Sequence, residues 1–246
     1  MARHDLRVWE RPIANQTYVV GCDPAHGLER GDDSVIQVIR METGVQVCEV
    51  QGKIDPIALG EKCFEVGTWY NNALVAIENN QDGGANRTLF NCGYRNCYFQ
   101  QSNNGKPYDE ATPKLGYNCN VRTRPHLVAQ GRKAMLEAVV VPQSSGLIAQ
   151  FEIFAHNGSR FEAVSGGHDD LVMAWLLAIE MFYVQLIIDE TKDNNLLPMV
   201  DGDVIPEIGE EDIDVQNVPR SGRLTEQALS RQEEFADYPS VMESLF

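Results

Sequence analysis

Three acidic signatures follow one another along this chain, and their carboxylates are the groups best suited to chemistry. They are GCDPAHG around Asp23, AIENNQDGG around Glu78, and GGHDDLVMAW around Asp169 and Asp170. Carboxylates that converge without basic neighbours repel one another unless a cation lies between them. Oxygen ligands of this kind suit Mg²⁺ and Mn²⁺. If the fold brings the three signatures together, they predict a divalent-metal site for phosphoryl chemistry.

Each acid stands at the edge of a predicted secondary-structure element. The apolar run 18–22 ends in Asp23 and the run 74–77 ends in Glu78, so both carboxylates are predicted at the C-terminal ends of buried strands. Asp169 and Asp170 precede a long apolar run and are predicted to open a helix, where the helix dipole favours negative charge. Two neighbouring strands and one helix start would therefore hold all the acids.

The pattern between the signatures predicts a strand meander followed by alternating helices and strands. Asp55 and Pro56 predict a helix start, because Asp caps a helix and Pro suits its first position. A right-handed crossover through this helix makes the strand that ends at Glu78 parallel to the first strand. The other predicted elements are strands at 34–41, 45–51 and 96–101 and helices at 83–92, 125–138 and 145–154.

The order of these motifs resembles the nuclease domain of the large terminase subunit of tailed bacteriophages. The patterns are G-x-D-P-x-x-G, then E-x-N-x-x-G, then G-x-H-D-D-L-V-x-A. Further matches are the segments 6–12, 70–73 and 122–125, so the resemblance covers about residues 6 to 188. It implies an α/β, RNase H-like fold, with a mixed sheet of five strands flanked by helices and an acidic flexible C-terminal tail.

The resemblance also implies a catalytic set of Asp23, Glu78 and Asp170 that holds two Mg²⁺ or Mn²⁺ ions. Asp23 would bridge the ions, Glu78 would hold one and Asp170 the other. Asp169 is either a direct ligand or a support for one, since successive helix residues point about 100° apart. Supporting roles are expected for Asp33, Asn80 and His168, the last of which orients a ligand or caps the helix.

The net charge of −16 argues against DNA binding, but the charge is unevenly distributed. Residues 189–246 hold 15 of the 36 acidic and 4 of the 20 basic residues, which leaves 21 acidic and 16 basic residues in 1–188. Between residues 86 and 133, eight basic residues face two acidic ones. We interpret this segment as the contact surface for double-stranded DNA; an ordinary solvated face is the alternative. The expected contacts are Arg87, Lys114, Arg122, Arg124, Arg132 and Lys133.

Composition divides the chain into an N-terminal lead-in at 1–14, a nuclease domain at 15–188 and an acidic tail at 189–246 that is expected to be flexible or to dock onto a partner. The N-terminus has no apolar signal sequence, and the six cysteines form no C-x-x-C pair, so reduced thiols in the host cytoplasm are expected. The apolar run 171–188 is about long enough to cross a bilayer. Glu180 and Gln185 interrupt it, which favours a buried helix of a soluble core and no membrane partner.

The terminase-like interpretation implies a metal-dependent endonuclease that cuts concatemeric viral DNA during genome packaging. Its expected partners are the terminase ATPase domain, the small terminase subunit and the portal. The chain has no G-x-x-x-x-G-K-[ST] phosphate loop, so we expect it to represent the nuclease part alone. Two alternatives stay open: a Holliday-junction resolvase or transposase-like nuclease of the same fold, and a catalytically silent DNA-binding or assembly module of the packaging motor.

Overall fold

The computed structural model describes residues 4–79, 83–102, 112–156, 161–163 and 167–193. Short strands dominate the first third of the chain, and helices dominate the described residues after it. In chain order the elements are β1 (His4–Val8), β2 (Tyr18–Asp23), β3 (Ser34–Arg40), β4 (Gln46–Gly52), α1 (Pro56–Trp69), β5 (Leu74–Ile77), α2 (Gly84–Asn91), β6 (Phe99–Ser102), β7 (Thr112–Leu115), α3 (Thr123–Leu136), α4 (Ser145–Ile153), β8 (Phe154–His156), β9 (Phe161–Ala163) and α5 (Asp170–Asp193).

The main sheet has five strands in the order β1-β4-β3-β2-β5. Strands β2, β3 and β4 form the predicted antiparallel meander, and β5 lies parallel to β2, as the crossover through α1 requires. Asp55 caps α1, since its carboxylate accepts hydrogen bonds from the backbone N–H groups of Ile57 and Ala58 at 3.0 and 3.1 Å. The predicted α/β fold with a mixed five-stranded sheet is confirmed.

The fifth strand of this sheet differs from the one that the sequence predicted. The predicted strand at 96–101 meets β5 only at its beginning, where Tyr98 N donates to Val75 O at 2.8 Å, and the chain then pairs with β7 as β6. The fifth strand is instead β1, which pairs with β4 at the edge of the sheet. Arg7 on β1 lies 2.5 Å from the buried carboxylate of Glu49 on β4. Alternating side chains predict a strand but do not specify its partner.

Helices cover both faces of the main sheet. Val19, Val35 and Leu74 face α5 and the other C-terminal helices, while Val20 and Ile36 face α1 and α2. Neighbouring residues of one strand thus pack into hydrophobic cores on opposite faces of the sheet, because side chains alternate across a strand. A sheet buried on both faces explains the continuous apolar runs that marked β2 and β5 in the sequence.

Helix α5 lies directly against β2 because Gly21 has no side chain. A Cβ atom on Gly21 would be 2.2 Å from Ala178 N and 2.3 Å from Ala174 O, distances that atoms cannot adopt. The small residues Gly21, Ala174 and Ala178 therefore permit the close approach of helix and strand. Gly21 stands two residues before Asp23, so this contact sets the depth of α5 beside the strand that carries the first acid.

Helix α5 is long and apolar enough to cross a membrane by length and composition alone. However, 67% of its most apolar window is buried inside the protein, against the sheet and the helices α3 and α4. This is the environment of a core helix. The helix continues to Asp193, past the predicted domain end at 188, and the rest of the acidic tail lies outside the described residues.

Candidate active site

The ends of two parallel strands place Asp23 beside Glu78. The register aligns Cys22 with Ile77, and Glu78 N donates to Cys22 O at 2.9 Å. Asp23 is the last residue of β2 and Glu78 directly follows β5. The two carboxyl groups are hydrogen-bonded to each other.

The N-terminus of α5 brings a third carboxylate to the same place. Asp170 is the first residue of the helix, and its Oδ2 accepts a hydrogen bond from Asp33 N at 3.0 Å. The Gln150 side chain on α4 caps the helix, since its Oε1 accepts from Leu171 N at 2.9 Å and more weakly from Val172 N at 3.4 Å. Sequence reasoning did not find Gln150, because no local pattern connects a residue on α4 to the start of α5.

The acids of all three signatures line one cleft of about 250 Å³. Eight of its lining residues have ionisable side chains, and six of these are carboxylic acids. The lining residues are Asp23, Pro24, Ala25, His26, Leu28, Gly31, Asp32, Asp33, Glu78, Arg124, Asp169, Asp170 and Met173. The fold thus brings Asp23, Glu78, Asp169 and Asp170 together, as a shared metal site requires.

The crowded carboxylates raise each other's pKa. Burial raises the pKa of Asp23 well above its usual value, and the neighbouring charges of Glu78 and Asp170 raise it further. Burial also raises the pKa of Glu78, although the hydrogen bond from Asp23 and the charge of Arg124 oppose this. Burial raises the pKa of Asp170 from 3.8 to about 6, against the hydrogen bond from the Asp33 backbone. A divalent cation would relieve this repulsion, so the donor set fits Mg²⁺ or Mn²⁺.

A second group of ligand atoms lies around Asp170. His168 Nδ1 is 3.3 Å from Asp32 Oδ1 and 3.9 Å from Asp170 Oδ2, and one ligand atom from each of the three residues lies within 4.8 Å of the others. Asp32 and His168 are exposed, whereas Asp170 is buried. Sequence reasoning missed Asp32; its only signal was the Asp-Asp pair just before β3.

Three residues were predicted to support the site. His168 lies beside Asp170, as described above. Asp33 contacts Asp170 through its backbone N–H, while its carboxylate pairs with Lys53 at 2.6 Å and accepts a hydrogen bond from Gln51 at 2.9 Å. Its role in the structure is therefore that of a main-chain donor. The third residue, Asn80, lies outside the described residues.

The predicted DNA contacts lie on several elements. Arg124 lines the acidic cleft and pairs with Asp169 at 2.6 Å. The side chains of Arg122, Arg132 and Lys133 are exposed at the start and along the length of α3, where the last two line an open groove of about 410 Å³. Lys114 is exposed on β7, and Arg87 is half-buried on α2. That these residues form one DNA-contacting surface stays a prediction.

No family model matches the chain, and no curated protein does. Solved structures share its fold. The Thermus phage P74-26 large terminase nuclease domain aligns with 70% of this chain and 83% of its own, with a TM-score of 0.54 and 18% identity. The large terminase nuclease from thermophilic phage G20c with bound magnesium aligns over 71% and 86%, with a TM-score of 0.54 and 19% identity. The same nuclease with bound cobalt gives 71% and 86%, with a TM-score of 0.55 and 19% identity.

These alignments cover 70–71% of this chain at TM-scores of 0.54–0.55. The chain therefore has the RNase H-like fold of the large terminase nucleases, as its three acidic motifs predicted.

Proposed function

We propose that this chain is a divalent-metal-dependent DNA endonuclease that cuts concatemeric viral DNA during genome packaging. The observation that carries the proposal is the convergence of Asp23, Glu78 and Asp170 in one cleft of a fold shared with phage terminase nucleases. The structures in that comparison include forms with bound magnesium and bound cobalt. Nuclease chemistry at the same edge of the sheet is the simplest use of these carboxylates.

Asp23, Glu78 and Asp170 would hold the ions. Two Mg²⁺ or Mn²⁺ ions, when bound, activate water and neutralise charge on the phosphate and the leaving oxygen. The protein's own contribution is rigid positioning. Asp23 and Glu78 are fixed by the β2–β5 pairing, and the Asp33 backbone N–H holds the Asp170 carboxylate in one orientation.

The cleft itself is acidic and repels DNA in the absence of metal. Arg122 is exposed directly before α3, and Arg132 and Lys133 are exposed on it. The N-terminus of α3 borders the cleft through Arg124, and we infer that the three exposed residues attract the phosphates. Phosphate contacts carry no sequence information, so cleavage would have little sequence preference. The place of cutting would then be set by partners: the ATPase domain, the small terminase subunit and the portal, acting in the host cytoplasm.

A plasmid-nicking assay tests this proposal. Supercoiled plasmid should become nicked and linear with Mg²⁺ or Mn²⁺ and should stay intact with EDTA. Asp23→Asn, Glu78→Gln and Asp170→Asn should each remove most activity, because residues that hold one metal site act as a unit. Glu61→Gln, which changes an exposed carboxylate on α1, is the matched control and should cut normally.

Three outcomes would contradict the proposal. Full activity of Asp23→Asn would show that the cleft is not the catalytic site. Strong preference for a four-way junction over linear duplex would favour the resolvase alternative. A wild-type protein that binds DNA but cuts nothing with either metal would favour the silent assembly module.

A further inference from the structure

Arg124 brings a positive charge into the acidic cleft. Its Nη2 lies 2.6 Å from Asp169 Oδ2, and its side chain is only 21% exposed. The same side chain lines the cleft with Asp23 and Glu78, and its charge opposes the rise in the pKa of Glu78. Arg124 therefore acts on the catalytic carboxylates as well as on its ion-pair partner.

The chain segment before Arg124 is attached to the strand that carries Glu78. Tyr117 N donates to Ile77 O at 2.9 Å, and Asn79 N donates to Tyr117 O at 2.7 Å. Gly116 makes this approach possible, because a Cβ atom there would lie 2.5 Å from Ile77 O. The backbone of Tyr117 is thus hydrogen-bonded to the residues on both sides of Glu78.

A tight turn then leads from residue 117 to the start of α3. Asn120 Oδ1 accepts hydrogen bonds from Arg122 N at 2.9 Å and Thr123 N at 3.2 Å. Thr123 Oγ1 donates to Asn118 O at 2.8 Å. Arg124 follows in the first turn of α3, so its backbone is held in place before any ligand binds. A guanidinium on such a support loses little freedom when it forms a further contact.

The guanidinium of Arg124 has hydrogen-bond donors available for a ligand. It offers five N–H groups, and Asp169 accepts from Nη2. Nε is shielded from solvent and has no hydrogen-bond partner among the described residues. A buried donor without an acceptor is costly, and a phosphate oxygen is the acceptor that a guanidinium fits best.

We propose that Arg124 donates to a non-bridging oxygen of the scissile phosphate, and that Asp169 holds Arg124 in position instead of binding a metal ion. This inference rests on the proposed nuclease function. It divides the four acids of the three sequence signatures into two groups. Asp23, Glu78 and Asp170 serve the ions, while Asp169, which directly precedes α5, is charge-paired with Arg124. Asp169 is then a positioning residue.

The experiment combines steady-state nicking with calorimetric Mn²⁺ titration of the full chain without DNA. The variants are Arg124→Gln, Arg124→Lys, Asp169→Asn, the Arg124→Gln/Asp169→Asn double variant and Asp170→Asn. Arg11→Gln changes an exposed arginine and is the matched control. Circular dichroism verifies that each variant is folded, and only folded variants are compared.

Arg124→Gln should lower kcat about 100-fold, with a smaller change in KM, because the contact strengthens as charge develops on the phosphate. Arg124→Lys should recover part of that loss. The double variant should be no slower than Arg124→Gln, because Asp169 acts through Arg124. In the calorimeter, Asp169→Asn should bind the wild-type number of Mn²⁺ ions, whereas Asp170→Asn should bind fewer.

Specific results would overturn the inference. If Asp169→Asn loses as many ions as Asp170→Asn, Asp169 is a metal ligand. If Arg124→Gln keeps the wild-type kcat, or if the two single effects multiply in the double variant, Arg124 and Asp169 do not act as one unit on the phosphate. A wild-type protein with no activity refutes the nuclease proposal and the phosphate contact together, and the Mn²⁺ titration still decides the role of Asp169.

Discussion

Replacing Asp170 with Asn should stabilise the metal-free protein at neutral pH. In the folded protein burial raises the pKa of Asp170 from 3.8 to about 6, so the folded state holds this proton more tightly than the unfolded chain does. Stability from this group is therefore complete at pH values below 3.8 and is lost as the pH rises through about 6. Asn carries no charge at any pH, and its amide oxygen can still accept the hydrogen bond from Asp33 N.

The expected gain in stability of Asp170→Asn follows from the size of the pKa shift of Asp170. A rise in pKa from 3.8 to about 6 corresponds to about 3 kcal/mol of unfolding free energy at pH 7. For a protein of this size that difference amounts to about 6–12 °C in Tm, at about 2–4 °C per kcal/mol. The Tm gain of Asp170→Asn should be small near pH 4 and should grow towards pH 7.

Thermal unfolding followed by circular dichroism in EDTA measures this difference, with Glu61→Gln as the control for loss of an exposed carboxylate. Mn²⁺ at about 1,000 times its Kd should reverse the order of stability, because an ion that binds only the folded wild type then adds about 4.1 kcal/mol, which exceeds the expected advantage of Asp170→Asn. Parallel curves of Tm against pH for wild type and Asp170→Asn in EDTA would refute the reasoning. So would a Tm of the wild type that Mn²⁺ leaves unchanged.

Three further perturbations test other parts of the structure. Gly21→Ala should lower the free energy of unfolding by about 1–3 kcal/mol or more, because its Cβ would overlap α5. It should also reduce nicking, because α5 would carry Asp170 away from Asp23. An unchanged Tm would contradict the close packing of α5 on β2. Changing Arg122, Arg132 and Lys133 to Glu should weaken DNA binding for all sequences alike. It should also reduce the steepness with which the logarithm of the binding constant falls with the logarithm of salt concentration, by about 1 per lost phosphate contact. A loss of binding confined to one DNA sequence would contradict a phosphate-binding role. Deleting residues 195–246 should leave the fold intact and nicking at least as fast as in the full chain, with the greatest gain at low salt; a Tm drop of about 4 °C or more would show that the tail packs on the core.

The sequence by itself predicted the acids of the site and the elements that carry them. Asp23 and Glu78 end apolar runs, and Asp170 opens another, so local patterns were enough to place each acid at the edge of an element. The helix start at Asp55 and Pro56 was equally readable, because capping depends on residues only two or three positions apart. The crossover rule then made β5 parallel to β2, which brings Glu78 beside Asp23.

The tertiary structure alone decided which groups surround those acids. Asp33 donates to Asp170 across 137 positions of the chain, and Arg124 pairs with Asp169 across 45. The edge strand β1 and the separation of β6 from the main sheet likewise depend on pairing between distant segments. Local propensity and periodicity act over a few residues, whereas these contacts depend on the path of the whole chain. For that reason the sequence could predict Arg124 as a DNA contact but could not place its guanidinium among the carboxylates of the cleft.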